Sequence, residues 1–138
     1  MALENVWIRT LGDGLVRADQ IIGISNHRTP SMTGKPGRWL LTVALPVATG
    51  SGSADGWGLT NLHRTLVQTD QEVAGAPDRL ARLLAQLAAV DTAGVITATP
   101  CGPDRSDVRF EFSRFEAEAA PATSEAQPEA VPEVVGVR

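Results

Sequence analysis

The sequence predicts a single α+β domain in which a mainly antiparallel sheet of about six strands packs against one amphipathic helix. Its 138 residues fall within the usual length of one domain. A composition of 43% hydrophobic and 20% charged residues is typical of a globular chain. Short alternating segments separated by turn residues occupy most of the chain, and only one long segment has the helical period. The order β-β-β-β-α-β-β favours antiparallel pairing, because hairpins supply no crossover for parallel strands.

The first two predicted strands flank an Asp-Gly turn. Val6–Thr10 alternates apolar and polar residues, and Leu15–Ile24 follows after Gly12-Asp13-Gly14. Asp-Gly favours the positive φ angles of a tight hairpin. We therefore expect these two strands to pair antiparallel.

Two segments rich in turn residues lie in the middle of the chain. Asn26–Arg38 contains two Pro and two Gly with little apolar content, which predicts a loop before the apolar strand Trp39–Val47. Ala48–Gly58 is rich in Gly and Ser and predicts a second loop, followed by a strand over Asn61–Thr69.

A helix is predicted over Pro77–Thr92. Pro77 suits the first helical position, and Gly94 suits the left-handed position just past the end. One apolar stripe recurs at three- and four-residue steps: Leu80, Leu83, Leu84, Leu87 and Val90. The stripe predicts packing against a sheet, with Leu84 at the centre of the interface and Arg82 outside it.

The last predicted elements are a hairpin and a tail. Val95–Thr99 and Val108–Phe112 flank a turn cluster of Pro, Gly and Asp. Residues 1–116 are therefore predicted to form the domain. Residues 117–138, rich in Ala, Glu and Pro, carry four Glu and one Arg and predict a disordered acidic tail. This tail would be a solubilising extension, or Val131–Val137 would dock on a partner as a short motif.

Composition excludes several classes of partner and compartment. A net charge of −4 provides no broad positive field for nucleic acid or anionic lipid. No apolar stretch approaches the ~20 residues of a membrane span. The start of the chain lacks the basic and apolar regions of a signal peptide, and the single Cys101 excludes an intramolecular disulfide. We expect a cytoplasmic protein that binds neither membranes nor nucleic acid broadly.

Motif searches predict no catalytic residue, metal site or cofactor. The Gly-rich segment has Asp55 where a dinucleotide fingerprint needs glycine, and Pro36 follows Lys35 where a P-loop needs Ser or Thr. The two histidines, His27 and His63, show no metal-ligand spacing, and nothing in the sequence brings them together. Cys101 has no histidine or helix start beside it to activate a thiolate.

Three functional hypotheses remain. The first is a non-enzymatic interaction or regulatory module that binds a protein partner or a second copy of itself, with Trp57 as a contact residue because aromatic residues dominate interaction hot spots. The second is a domain that binds a small anionic ligand if the basic loops converge, using Arg28, Lys35, Arg38, His63 and Arg64. The third is a cryptic hydrolase or transferase that uses His27, His63 or Cys101.

The opening V-W-I-R-T-x-G-D-G-L-V-R-A-D-Q-I-I-G-I, Val6–Ile24, resembles small uncharacterised α+β proteins of Gram-positive bacteria and their phages. In these proteins a Trp-Ile-Arg-Thr-like strand, an Asp-Gly turn and a strand ending in Asp-x-Ile precede further strands and a late helix. The resemblance covers about a sixth of the chain. It implies a compact fold of bent antiparallel strands and a helix, similar to a pleckstrin-homology roll, and it supplies no catalytic residues.

Overall fold

Seven strands and one helix form the described part of the chain. The computed structural model describes residues 2–53 and 56–116, with the backbone alone over residues 51–53 and 56–60. The elements are β1 (Val6–Thr10), β2 (Gly14–Arg17), β3 (Gly23–Arg28), β4 (Trp39–Ser53), β5 (Gly56–Thr69), α1 (Ala76–Ala88), β6 (Gly94–Cys101) and β7 (Asp107–Arg114). The predicted α+β class is confirmed. The predicted tail over residues 117–138 lies outside the described residues, and the predicted pleckstrin-homology-like roll stays a prediction.

The first sheet has the strand order β2-β1-β6-β7. β1 pairs antiparallel with β2 across the Asp-Gly turn, as predicted, and β6 pairs antiparallel with β7. β1 and β6 are parallel, with Val6 opposite Gly94 and Ile8 opposite Ile96. This parallel pair was not predicted. Its crossover is the whole chain between the two strands, including four other strands and α1, rather than a single helix.

The second sheet has the order β3-β4-β5 and is entirely antiparallel. The predicted loop over Ala48–Gly58 is wrong for the described residues, because β4 and β5 stay paired from Trp39 and Thr69 to Ser53 and Gly56. Main-chain hydrogen bonds hold this extension, and they need no apolar side chains. The register shifts between Leu45 and Ala48, so the pairing skips Pro46, which has no N–H to donate.

The chain changes sheets inside the predicted strand Leu15–Ile24. A 3-10 turn over Ala18–Gln20 separates β2 from β3, and Ala18 is buried within it. Nε of Arg17 lies 2.6 Å from Oδ1 of Asp19 across this turn. β3 then continues through Asn26–Arg28, which the sequence assigned to a loop.

α1 contributes Ala76, Leu80 and Leu87 to the buried core, where Val6 and Ile8 of β1, Val43 of β4, Val67 of β5 and Ile96 of β6 are also fully buried. The prediction that Leu84 lies at the centre is wrong, because Leu80 is 0% exposed and Leu84 is half-buried. The helix ends at Ala88, and Gly94 is the first residue of β6 rather than a helix cap. Within the described ranges, no helix has the length and apolarity to cross a membrane.

Candidate functional site

The two histidines meet on one face of the second sheet. Ser25 and His27 of β3 lie opposite Thr42 and Leu40 of β4, and Thr65 and Ala44 continue this face to His63 of β5. We call it the histidine face; the core residues Leu41 and Val43 occupy the opposite one. The ring centres of His27 and His63 lie 5.6 Å apart, with the ring planes at 88°. The sequence predicted no such meeting, because each residue is set by the register of a different strand.

Hydrogen bonds orient both rings. Nδ1 of His63 lies 2.9 Å from the backbone oxygen of Asn61, so Nδ1 carries the proton because a carbonyl oxygen only accepts. Nε2 of His27 lies 2.9 Å from Oγ of Ser25. Oγ of Ser25 also lies 3.4 Å from Oγ1 of Thr42, whose side chain is almost fully buried. The sheet therefore fixes the His27 ring through two hydroxyls.

His63 lines a cavity of about 440 Å³, which we call the histidine cavity. It is lined by Leu11, Asp13, Leu40, His63, Arg64, Thr65 and Gln68. Nη2 of Arg64 donates to Oδ2 of Asp13 at 2.6 Å and lies 3.5 Å from Oγ1 of Thr10. Arg64 is therefore neutralised by a carboxylate and carries no free charge into the cavity.

Asp13 is held as a carboxylate by its neighbours. The Thr10 hydroxyl donates to Oδ1, and together with the Arg64 guanidinium it holds the pKa of Asp13 below its ordinary value of 3.8. A carboxylate whose pKa is lowered by folding stabilises the fold above the unfolded pKa, and the contribution disappears as the pH falls through the folded pKa.

We expect Thr10→Val to return the pKa of Asp13 toward 3.8, because the largest stabilising contact is the Thr10 hydroxyl. Arg64→Ala should raise it by a smaller amount. Carboxyl ¹³C NMR titration of the native and variant proteins measures both changes. A native pKa at or above 3.8 would show that neither contact persists in solution.

The loop between β3 and β4, residues 29–38, is closed by hydrogen bonds. Thr29 donates its N–H to the Arg38 oxygen at 2.8 Å, and Arg38 donates its N–H to Oγ1 of Thr29 at 2.8 Å. Met32 and Lys35 exchange two backbone hydrogen bonds around Gly34, which has a φ of 77°. Lys35 and Arg38 therefore lie on a loop with a defined backbone.

This loop and β5 enclose a cleft of about 500 Å³, which we call the basic cleft. It is lined by Thr29, Pro30, Met32, Gly34, Lys35, Pro36, Arg38 and Gln68. Nη1 of Arg38 lies 3.2 Å from Oδ1 of Asp70, and the same oxygen lies 2.8 Å from Nη2 of Arg105. Because Gln68 lines both hollows, the basic cleft adjoins the histidine cavity.

The structure brings most of the predicted anion-binding residues together. Lys35 and Arg38 line the basic cleft, and His63 and Arg64 line the adjoining histidine cavity. Arg28 lines neither of them; it lies beside Gly37, where an added methyl group would come within 3.0 Å of its Nε. Gln68 was not predicted as a site residue. In the sequence, the only feature that indicates its position is the alternation of apolar and polar residues along β5.

The other predicted residues lie elsewhere. Cys101 lines a separate hollow of about 450 Å³ beside α1 that contains no histidine. A thiol nucleophile in the hydrolase hypothesis needs a histidine beside it. The structure does not bring His27 or His63 to Cys101. Trp57 is in β5, and its side chain lies outside the described part of the structure. In the part of the chain that the structure describes, no group of three or more His, Cys, Asp and Glu side chains could hold a metal ion.

Comparison with known proteins gives no relative. No protein-family model matches the chain, and no curated protein and no solved structure is significantly similar to it. The resemblance of Val6–Ile24 to Gram-positive and phage proteins stays a prediction.

Proposed function

We propose that the domain binds a small anionic ligand in the basic cleft. The observation that carries the proposal is the convergence of Lys35 and Arg38 with the Gln68 amide around one hollow. An ammonium, a guanidinium and an amide are the side chains that recognise phosphate and carboxylate oxygens.

The charges around the cleft support an anion. Lys35 forms no salt bridge with any residue that the structure describes. Arg38 and Arg105 share one oxygen of Asp70, so two positive charges face one negative charge. The chain as a whole carries −4, so the attraction must come from this local excess rather than from a general field.

The size of the cleft limits the ligand. A volume of about 500 Å³ lies within the range of sites for small molecules. The Arg38 guanidinium offers a planar pair of donors to an oxyanion, and Lys35 offers a mobile point charge. The ligand class is a phosphate-bearing or polycarboxylate metabolite.

We expect Lys35→Ala to weaken the binding of pyrophosphate about tenfold, because one charged donor of the cleft is lost. Asp70→Asn should have the opposite effect and tighten binding, since it frees two guanidinium groups from their carboxylate. Calorimetric titration at low ionic strength measures both affinities.

Arg82→Ala is the matched control for charge. Arg82 lies on α1, pairs with Asp78 at 2.9 Å, and lines none of the hollows described above. Its removal should leave affinity unchanged. Equal weakening in Lys35→Ala and Arg82→Ala would show unspecific attraction, and weakening in Asp70→Asn would contradict the proposed role of Asp70.

The interaction-module and hydrolase hypotheses stay predictions. A protein partner or self-association would engage Trp57, and an enzyme would depend on His27, His63 or Cys101.

A further inference from the structure

We infer that His27 and His63 together bind a divalent transition-metal ion on the histidine face. Histidine is the commonest metal ligand in proteins, and it binds as the neutral imidazole through a nitrogen that carries a lone pair. The chain contains two histidines, and the fold places both in contact with each other.

In each ring one nitrogen takes part in a hydrogen bond, and the other is available to a metal ion. His63 commits its Nδ1 proton to the Asn61 oxygen, so Nε2 keeps the lone pair. A metal-binding histidine commonly donates its other N–H to a backbone carbonyl, which fixes the tautomer and the ring orientation. The contact between His63 and Asn61 has this form.

The hydrogen bonds around His27 form one consistent chain of donors. With the Thr42 hydroxyl donating to the Ser25 backbone oxygen, Oγ1 of Thr42 accepts from the Ser25 hydroxyl at 3.4 Å, and we assign Nε2 of His27, 2.9 Å from Oγ of Ser25, as the donor to that oxygen. The Thr42 hydroxyl in turn lies 3.5 Å from the backbone oxygen of Ser25. This arrangement leaves Nδ1 of His27 with its lone pair.

The distance between the two rings suits a shared ion. Zn–N bonds of about 2.0 to 2.1 Å on a tetrahedral ion place two imidazole ring centres roughly 5 Å apart, and wider N–Zn–N angles extend this to roughly 6 Å. The observed separation of 5.6 Å lies within that interval. The separation therefore suits one shared ion. Because the rings meet edge to face, their side-chain torsions adjust to aim both nitrogens at the ion, and the strand register is unchanged.

Solvent exposure and the neighbouring charges also favour an ion at the two rings. Both histidines are exposed, so an ion reaches them from solvent without displacing core residues. The nearby Arg64 is paired with Asp13 and directs no free charge at the rings. Imidazole ligands favour Zn²⁺, Ni²⁺ and Cu²⁺ over Mg²⁺ and Ca²⁺, which prefer oxygen.

Sequence motifs could not find this site. They detect ligands spaced along one element, whereas His27 and His63 belong to two strands that are separated by β4. Two imidazoles are fewer than the ligands of a structural zinc site, so water or an anion completes the coordination and the ion exchanges with solvent.

The test is a calorimetric titration of the untagged full chain with Zn²⁺, and with Mg²⁺ as the control ion. We expect one zinc ion per chain and no magnesium binding. His27→Ala and His63→Ala should each weaken zinc binding at least tenfold. Cys101→Ala, which removes the only thiol, should leave it unchanged.

A second measurement on the native protein identifies the ligand atoms and does not depend on a variant folding. Zinc should shift the ¹⁵N resonances of His63 Nε2 and His27 Nδ1, and leave His63 Nδ1 and His27 Nε2 much less affected. Zinc binding that survives either histidine substitution, or no binding below about 1 mM, would overturn the inference.

Discussion

Gly94→Ala should be the most damaging small substitution in the domain, with a loss of more than about 3 kcal/mol in the free energy of unfolding. Gly94 lies in the first sheet between β1 and β7, opposite Val6 and Arg114. An added methyl group would lie 2.2 Å from the Ser113 backbone oxygen and 2.9 Å from the Arg114 Cα atom. These are backbone atoms, so no side-chain rotation relieves the contact. The β6–β7 hairpin would have to separate.

Gly75→Ala is the matched control for this prediction. A methyl group there meets nothing within 4 Å, and Gly75 has a φ of −85°, which alanine adopts without strain. We expect its free energy of unfolding to change by less than about 1 kcal/mol. Alanine lowers the entropy of the unfolded chain, which stabilises the fold, but it is a poorer helix N-cap than glycine, which destabilises it. Urea unfolding of both variants measures the difference. A Gly94→Ala protein as stable as Gly75→Ala would contradict the close approach of β6 and β7.

Leu80→Ala should lower the free energy of unfolding by about 2 to 5 kcal/mol. Leu80 is 0% exposed and belongs to the same core cluster as Ile8, Val43 and Ile96. Truncating it leaves a cavity that neighbouring strands cannot fill. Because Leu80 is buried in a core cluster with residues of both sheets and does not line the basic cleft, its loss should lower stability without changing the surface of the cleft.

Leu84→Ala distinguishes the packing of α1 in the structure, where Leu80 is fully buried, from the packing predicted from the sequence, where Leu84 lies at the centre of the interface. Leu84 is half-buried and lines an open groove beside Ile22 and Ile24, so we expect a smaller loss than for Leu80→Ala. Arg82, with 75% of its side chain exposed, should tolerate alanine almost without cost. If denaturant melts showed a larger loss of unfolding free energy for Leu84→Ala than for Leu80→Ala, the buried face of α1 would be centred on Leu84, and the packing described here would be incorrect.

The elements that the sequence predicted well are those with a strong local signal. The Asp-Gly turn sets the β1–β2 hairpin, and the apolar stripe identifies α1 to within a few residues. Turn residues likewise separate β6 from β7. In each case the pattern and the turn chemistry lie within one short stretch of chain.

The features that the sequence could not predict depend on contacts between distant segments. Gly94 resembles a helix cap locally, but its lack of a side chain serves the approach of β7. Ala48 to Ser53 has the composition of a loop, yet it pairs with β5 through the backbone. The parallel pairing of β1 and β6 needs a crossover of many residues, which no window of sequence reveals.

In the candidate site, too, the local features were predictable from the sequence and the contacts between distant segments were not. Basic residues on the loop at Lys35 and Arg38 were identifiable from residue type alone. Their joining to Gln68 depends on the register of β4 with β5, in which Leu40 lies opposite Gln68. The meeting of His27 and His63 depends on the registers of two strand pairs, so residue type could suggest the chemistry but not the geometry.

The most direct test of anion binding in the basic cleft is an NMR titration of the full chain with pyrophosphate, followed through backbone amide resonances. We predict progressive, saturable shifts concentrated in residues 29–38 and at Gln68, with little change along α1. Shifts spread evenly over the surface, or confined to the hollow around Cys101, would contradict it.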